Sequence, residues 1–229
     1  MKEYFSIAID GPGGAGKSTI AKEVAKRSGA NYLDTGAMYR CLGLWYDRKG
    51  IDIPASHDYI IQSCADVPMT IRFEQGVQRM FLGDEDVTEA IRLPQAGRAG
   101  SQVSAFAEVR EVLVARQQKI AAQNSVVVDG RDICAVVLPD ATLKLFMTAD
   151  VTVRAMRRYN DERAKGNDAV KFHEVLDDLV ERDYRDSHRA ASPLQKTEDA
   201  ILLDTTHMSF EEVVQKILEL LEQARGNHE

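Results

Sequence analysis

Cysteine is scarce and scattered in this 229-residue chain: Cys41, Cys64 and Cys134 form no C-x-x-C pair, which indicates neither a disulfide framework nor a thiolate zinc site. The five histidines, His57, His173, His188, His207 and His228, show no ligand spacing such as H-x-x-x-H. No apolar run approaches the roughly 18 residues a membrane span needs, and residues 1–10 lack the basic start, long apolar stretch and cleavage site of a secretory leader. These gaps predict a soluble, reduced, cytoplasmic protein with no membrane partner. Positive charge is in deficit too, with 29 Lys and Arg against 36 Asp and Glu and a net charge of -7. Holding a long nucleic-acid backbone needs a basic face that displaces counterions, so no nucleic-acid partner is expected. A polyanion bound here must be small and met locally.

What is present is ordinary for a globular chain: 44% hydrophobic and 28% charged residues, in a length that suits one large domain or a core with small appendages. Within the basic set 18 residues are Arg and 11 are Lys. The planar guanidinium fork suits carboxylate and phosphate, which keeps small phosphorylated ligands in play. No sustained heptad or unexplained apolar run asks for a second subunit, so a monomer is expected.

Short apolar runs recur at Phe5-Ser6-Ile7-Ala8-Ile9, Asn31-Tyr32-Leu33, Ser125-Val126-Val127-Val128, Leu143-Lys144-Leu145-Phe146-Met147 and Ala200-Ile201-Leu202-Leu203. Most are followed by a helical pattern, and buried-looking strands alternating with helices predict an α/β fold with a parallel sheet covered on both faces. Val109, Val112, Leu113, Arg116 and Ile120 share one helix face, Phe172, Val175, Leu176 and Leu179 another, and Phe210 to Leu221 a third that opens on a Ser209/Glu212 capping box. Between about 64 and 90 the pattern turns to alternation around Gly76 and Gly83, predicting inserted antiparallel strands. The charged, weakly apolar stretch from Arg154 to Lys171 reads as a mobile flap.

Gly11-Pro12-Gly13-Gly14-Ala15-Gly16-Lys17-Ser18 matches G-x-x-x-x-G-K-[ST] after a predicted strand and before a predicted helix, and this context separates a phosphate loop from a mere glycine-rich turn. Backbone N–H groups and the helix N-terminus offer partial positive charge to phosphates, Lys17 adds a point charge, and the Ser18 hydroxyl can reach Mg²⁺. No N-K-x-D guanine motif accompanies it. Asp34-Thr35-Gly36-Ala37-Met38-Tyr39-Arg40 follows the second strand, and Asp129-Gly130-Arg131-Asp132 follows the Val-rich one. Both open where open α/β sheets bind ligands. Taken alone, Asp34 fits a helix cap equally well and Asp129 a loop cap paired with Arg131. Arg182, Asp186 and Arg189 share a helix face, as do Arg154, Arg157 and Arg158. Surface ion pairing produces such faces as well.

Taken together the segments resemble the bacterial cytidylate kinase family, in order and over nearly the whole chain: Gly11 to Thr19, Asp34 to Arg40, Glu85-Asp86-Val87-Thr88, Ser101-Gln102-Val103, Arg110, Asp129 to Asp132, Val137 to Ala141, and Arg182 to Arg189 followed by Ser192-Pro193-Leu194. The resemblance implies an adenylate-kinase-like P-loop NTPase core with a five-stranded parallel sheet, about 1–35, 100–153 and 171–229. It implies an inserted nucleoside-monophosphate-binding domain at about 36–99 and a short lid at about 154–170. Residue by residue it implies ATP binding by Gly11, Pro12, Gly13, Gly14, Ala15, Gly16, Lys17, Ser18 and Thr19, with Ser18 on Mg²⁺ beside the ATP phosphates. Asp34, Thr35, Arg40, Ser101, Arg110, Arg131, Asp132, Arg182, Asp186 and Arg189 would bind CMP. Among them Ser101, Arg110 and Asp132 resemble the cytosine-reading set, Arg40, Arg131 and Arg189 the acceptor-phosphate clamp, and Asp186 the ribose contact. Lys17, Arg131, Arg154, Arg157 and Arg158 would surround the migrating phosphoryl group. Cys134 departs from the pattern, standing where many members have Gly.

The implied reaction is MgATP plus CMP or dCMP giving ADP plus CDP or dCDP, by in-line transfer without a covalent intermediate. Cytosine presents an amino donor where uracil presents a carbonyl, so a carboxylate such as Asp132 would accept from one and repel the other. An unpaired buried polar group costs about 1–3 kcal/mol, roughly tenfold to over a hundredfold in preference. The residues alone leave two rivals open: a kinase for another small acceptor such as shikimate or another nucleoside monophosphate, and a nucleotide-dependent switch or binding protein.

Overall fold

Val126, Val127 and Val128 are all fully buried, as three consecutive β-branched residues are when both faces of a strand are covered. In the computed structural model, which describes residues 4–188 and 193–226, they lie in a sheet built from β1 (Ser6–Asp10), β2 (Asn31–Asp34), β6 (Val126–Gly130), β7 (Leu143–Thr148) and β8 (Ile201–Asp204). The order is β2-β6-β1-β7-β8, and every pairing is parallel. All five strands coincide with the five apolar runs of the sequence.

Side chains alternate between the faces of each strand. Ile7, Ile9, Val127 and Leu145 pack with Ile20 and Val24 of α1 (Lys17–Ser28) and Val213, Val214 and Ile217 of α8 (Phe210–Gly226). Ala8, Val126 and Val128 face the opposite way, toward Val114 and Ile120 of α5 (Ala107–Ala121) and a π-helical turn at Ile133–Val137. The capping box forms as predicted: the Ser209 amide donates to Glu212 Oε2 at 2.8 Å and the Glu212 amide to Ser209 Oγ at 3.3 Å.

The chain between β2 and α5 builds a second body with its own core. It holds α2 (Thr35–Arg48), α3 (His57–Ser63), the antiparallel strands β3 (Met69–Glu74), β4 (Val77–Leu82) and β5 (Glu85–Asp86), and α4 (Pro94–Val103). The core joining Met38, Leu42 and Tyr46 to Ile60, Met80 and Val87 continues past residue 99 to Val103, Val109 and Leu113. α2 and α4 cross at backbone contact, because a Cβ on Gly100 would stand 2.9 Å from the Arg40 Cα and one on Gly43 would stand 2.5 Å from the Gly100 nitrogen.

The predicted flap is mostly helix. α6 (Val151–Ala164) packs against α7 (Phe172–His188) through Ala155, Val175 and Leu179, leaving only 165–171 between them. Its polar composition follows from that contact, since a helix with one narrow packed stripe has few positions for apolar side chains. Among the described residues no helix is long and apolar enough to cross a membrane.

Candidate active site

The loop between β1 and α1 begins at Gly11, whose φ of +147° and position under β7 admit only glycine: a Cβ there would stand 1.9 Å from the Met147 carbonyl oxygen. At the end of the loop Gly16 caps α1 with no side-chain hydrogen bond, so the helix's first amides stay open to an anion. Lys17 is buried and its ammonium donates to the Pro12 carbonyl at 2.8 Å. Burial, with Arg131 adding to it and Asp129 opposing, pushes its pKa down to about 7. Ser18 Oγ faces outward and donates to Asp129 Oδ2 at 2.8 Å, while the Tyr32 hydroxyl donates to Asp129 Oδ1 at 2.7 Å. A hydroxyl and a carboxylate beside a phosphate cradle are the hard oxygen donors that suit Mg²⁺, whose remaining positions phosphates and waters fill.

The three arginines of α6 separate. Arg154 is only 6% exposed. It donates to the Gly13 and Ala149 carbonyls, both at 2.9 Å, and pairs with Asp183 at 2.8 Å. Its guanidinium therefore lies beneath the phosphate loop, fastening it to α6 and α7, and does not line the cavity above. Arg157 is tied to the Thr205 hydroxyl at 3.1 Å and carbonyl at 2.8 Å. With Ile20, Met147, Met208 and Phe210 it borders a slot of about 250 Å³, and it also reaches the wall of the cavity over Lys17 and Ser18. Arg158 has no hydrogen bond or ion pair among the described residues. It lines two adjoining cavities of about 420 Å³ each, one over Gly13, Lys17, Ser18, Asp129 and Arg131, the other beside Ser101 and Asp186. Arg182 is the other residue common to both.

On the acceptor side Asp34 caps a helix and also pairs with Arg40. Oδ1 caps α2 by accepting from the Ala37 amide at 2.9 Å, and Oδ2 pairs with Arg40 at 2.8 Å; Thr35 is the helix's first residue. Gln78, from β4 of the insertion, accepts from the Asp34 amide at 2.7 Å and so fixes this corner. Arg131 pairs with Asp186 at 2.7 Å, and Arg182 Nε stands 3.9 Å from the same carboxylate. Burial and Arg131 depress the Arg182 pKa. Arg110 and Asp132 form a direct ion pair, so two of the three residues matched to cytosine reading meet. Ser101 lines the wall of the second cavity. Arg189 lies outside the described residues.

Beneath Arg131 and Asp132 is Asp10, 1% exposed, whose carboxylate accepts from the Ile133 and Cys134 amides, each at 2.8 Å. Burial raises its pKa against those two bonds. The Cys134 thiol points back into the sheet, donating to the Ala8 and Leu145 carbonyls at 3.6 Å, and burial beside Asp10 raises its pKa. The departure from Gly is absorbed on the side away from the cavities. Sequence reasoning passed over the Ser18–Asp129 bond, Asp10 and Gln78. A carboxylate closing an apolar strand next to the phosphate-loop strand is a signal for the first; Gln78 has none, because its partner is set by how the insertion folds back.

The fold resembles that of an uncharacterised protein from Eubacterium ventriosum, with a TM-score of 0.52 at 12% identity, covering 95% of this chain and 98% of that one. Sequence likeness is far stronger. A curated cytidylate kinase of Caldicellulosiruptor bescii is 46% identical over 216 residues, 94% of this chain and 95% of its own. One of Streptococcus uberis is 47% identical over 220 residues, covering 94% of this chain and 95% of its own. The family model described as Cytidylate kinase matches residues 7–223. With the phosphate loop, the acceptor corner and the α6–α7 pair all inside that span, this chain belongs to the cytidylate kinase family.

Proposed function

We propose that the chain transfers the γ-phosphoryl group of MgATP to CMP or dCMP, giving ADP and CDP or dCDP, and that it does so as a cytoplasmic monomer. The observation that carries the site assignment is that a phosphate-loop cavity and an acceptor cavity adjoin with Arg158 and Arg182 on both. Three free, buried thiols, Cys41, Cys64 and Cys134, suit a reducing compartment.

The backbone amides of 13–18 and Lys17 hold the donor phosphates, and the slot beside Arg157 and Thr205 takes its base. Ser18 and Asp129 would hold Mg²⁺, which when bound with ATP neutralises charge on the bridging phosphates. Arg40 and Arg131, with Arg189, clamp the acceptor phosphate, Asp186 meets the ribose near Arg182, and Asp132 accepts from the cytosine amino group with Arg110 and Ser101 beside it. Arg40, Arg131 and Arg110 each carry an internal carboxylate partner, so part of the site's positive charge is offset until the ligand's own anions displace those partners. The acceptor oxygen is already anionic near neutral pH, the second phosphate pKa being about 6, and needs no general base. Catalysis then rests on alignment and charge cancellation, with Arg158 the α6 arginine that meets the migrating group. The unit 36–99, with the core it shares with α4 and α5, is the acceptor-binding body, and α6 with 165–170 is the lid.

Coupled ADP release over AMP, GMP, UMP, CMP, dCMP and shikimate tests this directly. CMP and dCMP are expected to be clearly the best acceptors; any other ranking overturns the proposal, and ATP binding without acceptor-stimulated ADP release would favour a switch.

A further inference from the structure

Asp129 is held from both sides. Its Oδ2 accepts from Ser18 at 2.8 Å and its Oδ1 from the Tyr32 hydroxyl at 2.7 Å. Tyr32 lies on the sheet's edge strand, paired with Val127, while Asp129 pairs with Asp34 two positions on. The phenol thus reaches along the strands to the carboxylate. Its ring is 8% exposed within the α1-side core, with the Lys22 ammonium 5.5 Å over its centroid. Phenylalanine would fill the same space, so packing accounts for the ring and leaves the hydroxyl unexplained.

We propose that the Tyr32 hydroxyl is a positioning group for phosphoryl transfer: by engaging one oxygen of Asp129 it fixes the carboxylate's rotation and keeps the other oxygen on Ser18, facing the phosphates. A carboxylate with one oxygen free turns about its last torsion, which is broad and two-fold, and the Lys17 side chain is near enough to interact with it. With both oxygens occupied only one orientation remains. Outer-shell partners of this kind orient the groups that meet a metal and tune their strength.

The inference rests on the assignment of Ser18 and Asp129 to Mg²⁺, and the test separates the two. For Tyr32→Phe, Asp129→Asn and the double variant, ATP affinity would be titrated with a fluorescent ATP analogue in EDTA and in Mg²⁺, and the Mg²⁺ half-saturation of turnover measured alongside. Tyr32→Phe is expected to leave ATP affinity in EDTA and KM for CMP unchanged. It should reduce the Mg²⁺-dependent gain in ATP affinity, and raise the half-saturation, roughly tenfold. In the Asp129→Asn background the same change should have no further effect on either. A purely structural tyrosine would shift Tm and move neither Mg²⁺ readout, and that result overturns the proposal. If Asp129→Asn alters the Mg²⁺ gain and Tyr32→Phe does not, Tyr32 alone is misassigned; if neither alters it, the metal assignment fails and takes the inference with it.

Discussion

Burial makes Lys17 a titrating group near neutrality. With a pKa of about 7 against about 10.4 in an unfolded chain, the unfolded state binds more protons between those two values. Stability of the ligand-free protein should therefore rise with pH across that window, fully penalised below it, and Lys17→Met should remove that part of the slope in denaturant titrations. Triphosphate restores the charge, so ATP binding at pH 8 should take up close to one proton, read by calorimetry in buffers of different ionisation enthalpy. An uptake of zero would mean that the ammonium is already charged in the free protein. The α6 arginines make the complementary case. Spacing i, i+3 and i+4 correctly puts Arg154, Arg157 and Arg158 on one side of a helix, but a shared face says nothing about what lies opposite each turn. Arg154→Met strands Asp183 and two carbonyls, and breaking such a buried pair costs about 3 kcal/mol, or about 6–12 °C in Tm for a chain this long. Arg158→Met should leave Tm within about 2 °C and lower kcat about 10²–10³-fold, the scale of one lost transition-state donor. A reversal of those two profiles in thermal melts and steady-state kinetics would exchange the roles given to them.

The strands were legible because the central ones are buried on both faces and read as unbroken Val and Ile runs, and α8 because its capping box and apolar stripe agree. α4 was not, since Pro94-Gln95-Ala96-Gly97-Arg98-Ala99-Gly100 carries no large apolar residue to set a period. The same small residues are why the element matters: they bring α4 onto the backbone of α2, which sets Arg40 and Ser101 on adjoining turns of two helices. The π-helical turn at Ile133–Val137 was equally hidden, because it is organised by Asp10, more than a hundred residues away in sequence. Gly100→Ala tests the helix crossing. Its new Cβ would press on the Arg40 backbone at 2.9 Å, and relief requires the helices to part, at a cost of about 1–3 kcal/mol. KM for CMP should rise severalfold while ATP affinity, set across the sheet by the phosphate loop, stays as it was. Equal losses for both nucleotides would show that the acceptor body and the loop are not separable in this way.

At the scale of the molecule, a net charge of -7 leaves no surplus of positive charge to spread over a broad anion-binding face, and the parallel sheet explains why none is needed. Parallel strands present all their carboxyl ends on one edge, so Asp10, Asp34 and Asp129 converge there with the backbone amides of the phosphate loop, and a few arginines finish two cavities. That convergence was readable once the strands were. How the arginines divide between the cavities was not, because it depends on how α6 and α7 lean over the edge. Those two helices join through a small core of Ala155, Val175 and Leu179 with Phe172 and Leu176 against it, the Tyr159–Phe172 ring pair and the Arg154–Asp183 ion pair, a modest contact set for two helices of this length that permits local opening, yet they carry both residues that line the two cavities, Arg158 and Arg182. A ligand in one cavity engages these arginines from one side only; ligands in both would lock them from two. Amide hydrogen exchange over 151–188 should therefore slow more with CMP and a non-hydrolysable ATP analogue together than the sum of the slowing each produces alone, in free-energy terms. Arg158→Met should make the two effects additive without changing exchange in α1 or the central strands. Additive protection in the unaltered protein would mean that α6 and α7 do not close as a unit over the two nucleotides, and that water must be excluded by the acceptor body instead.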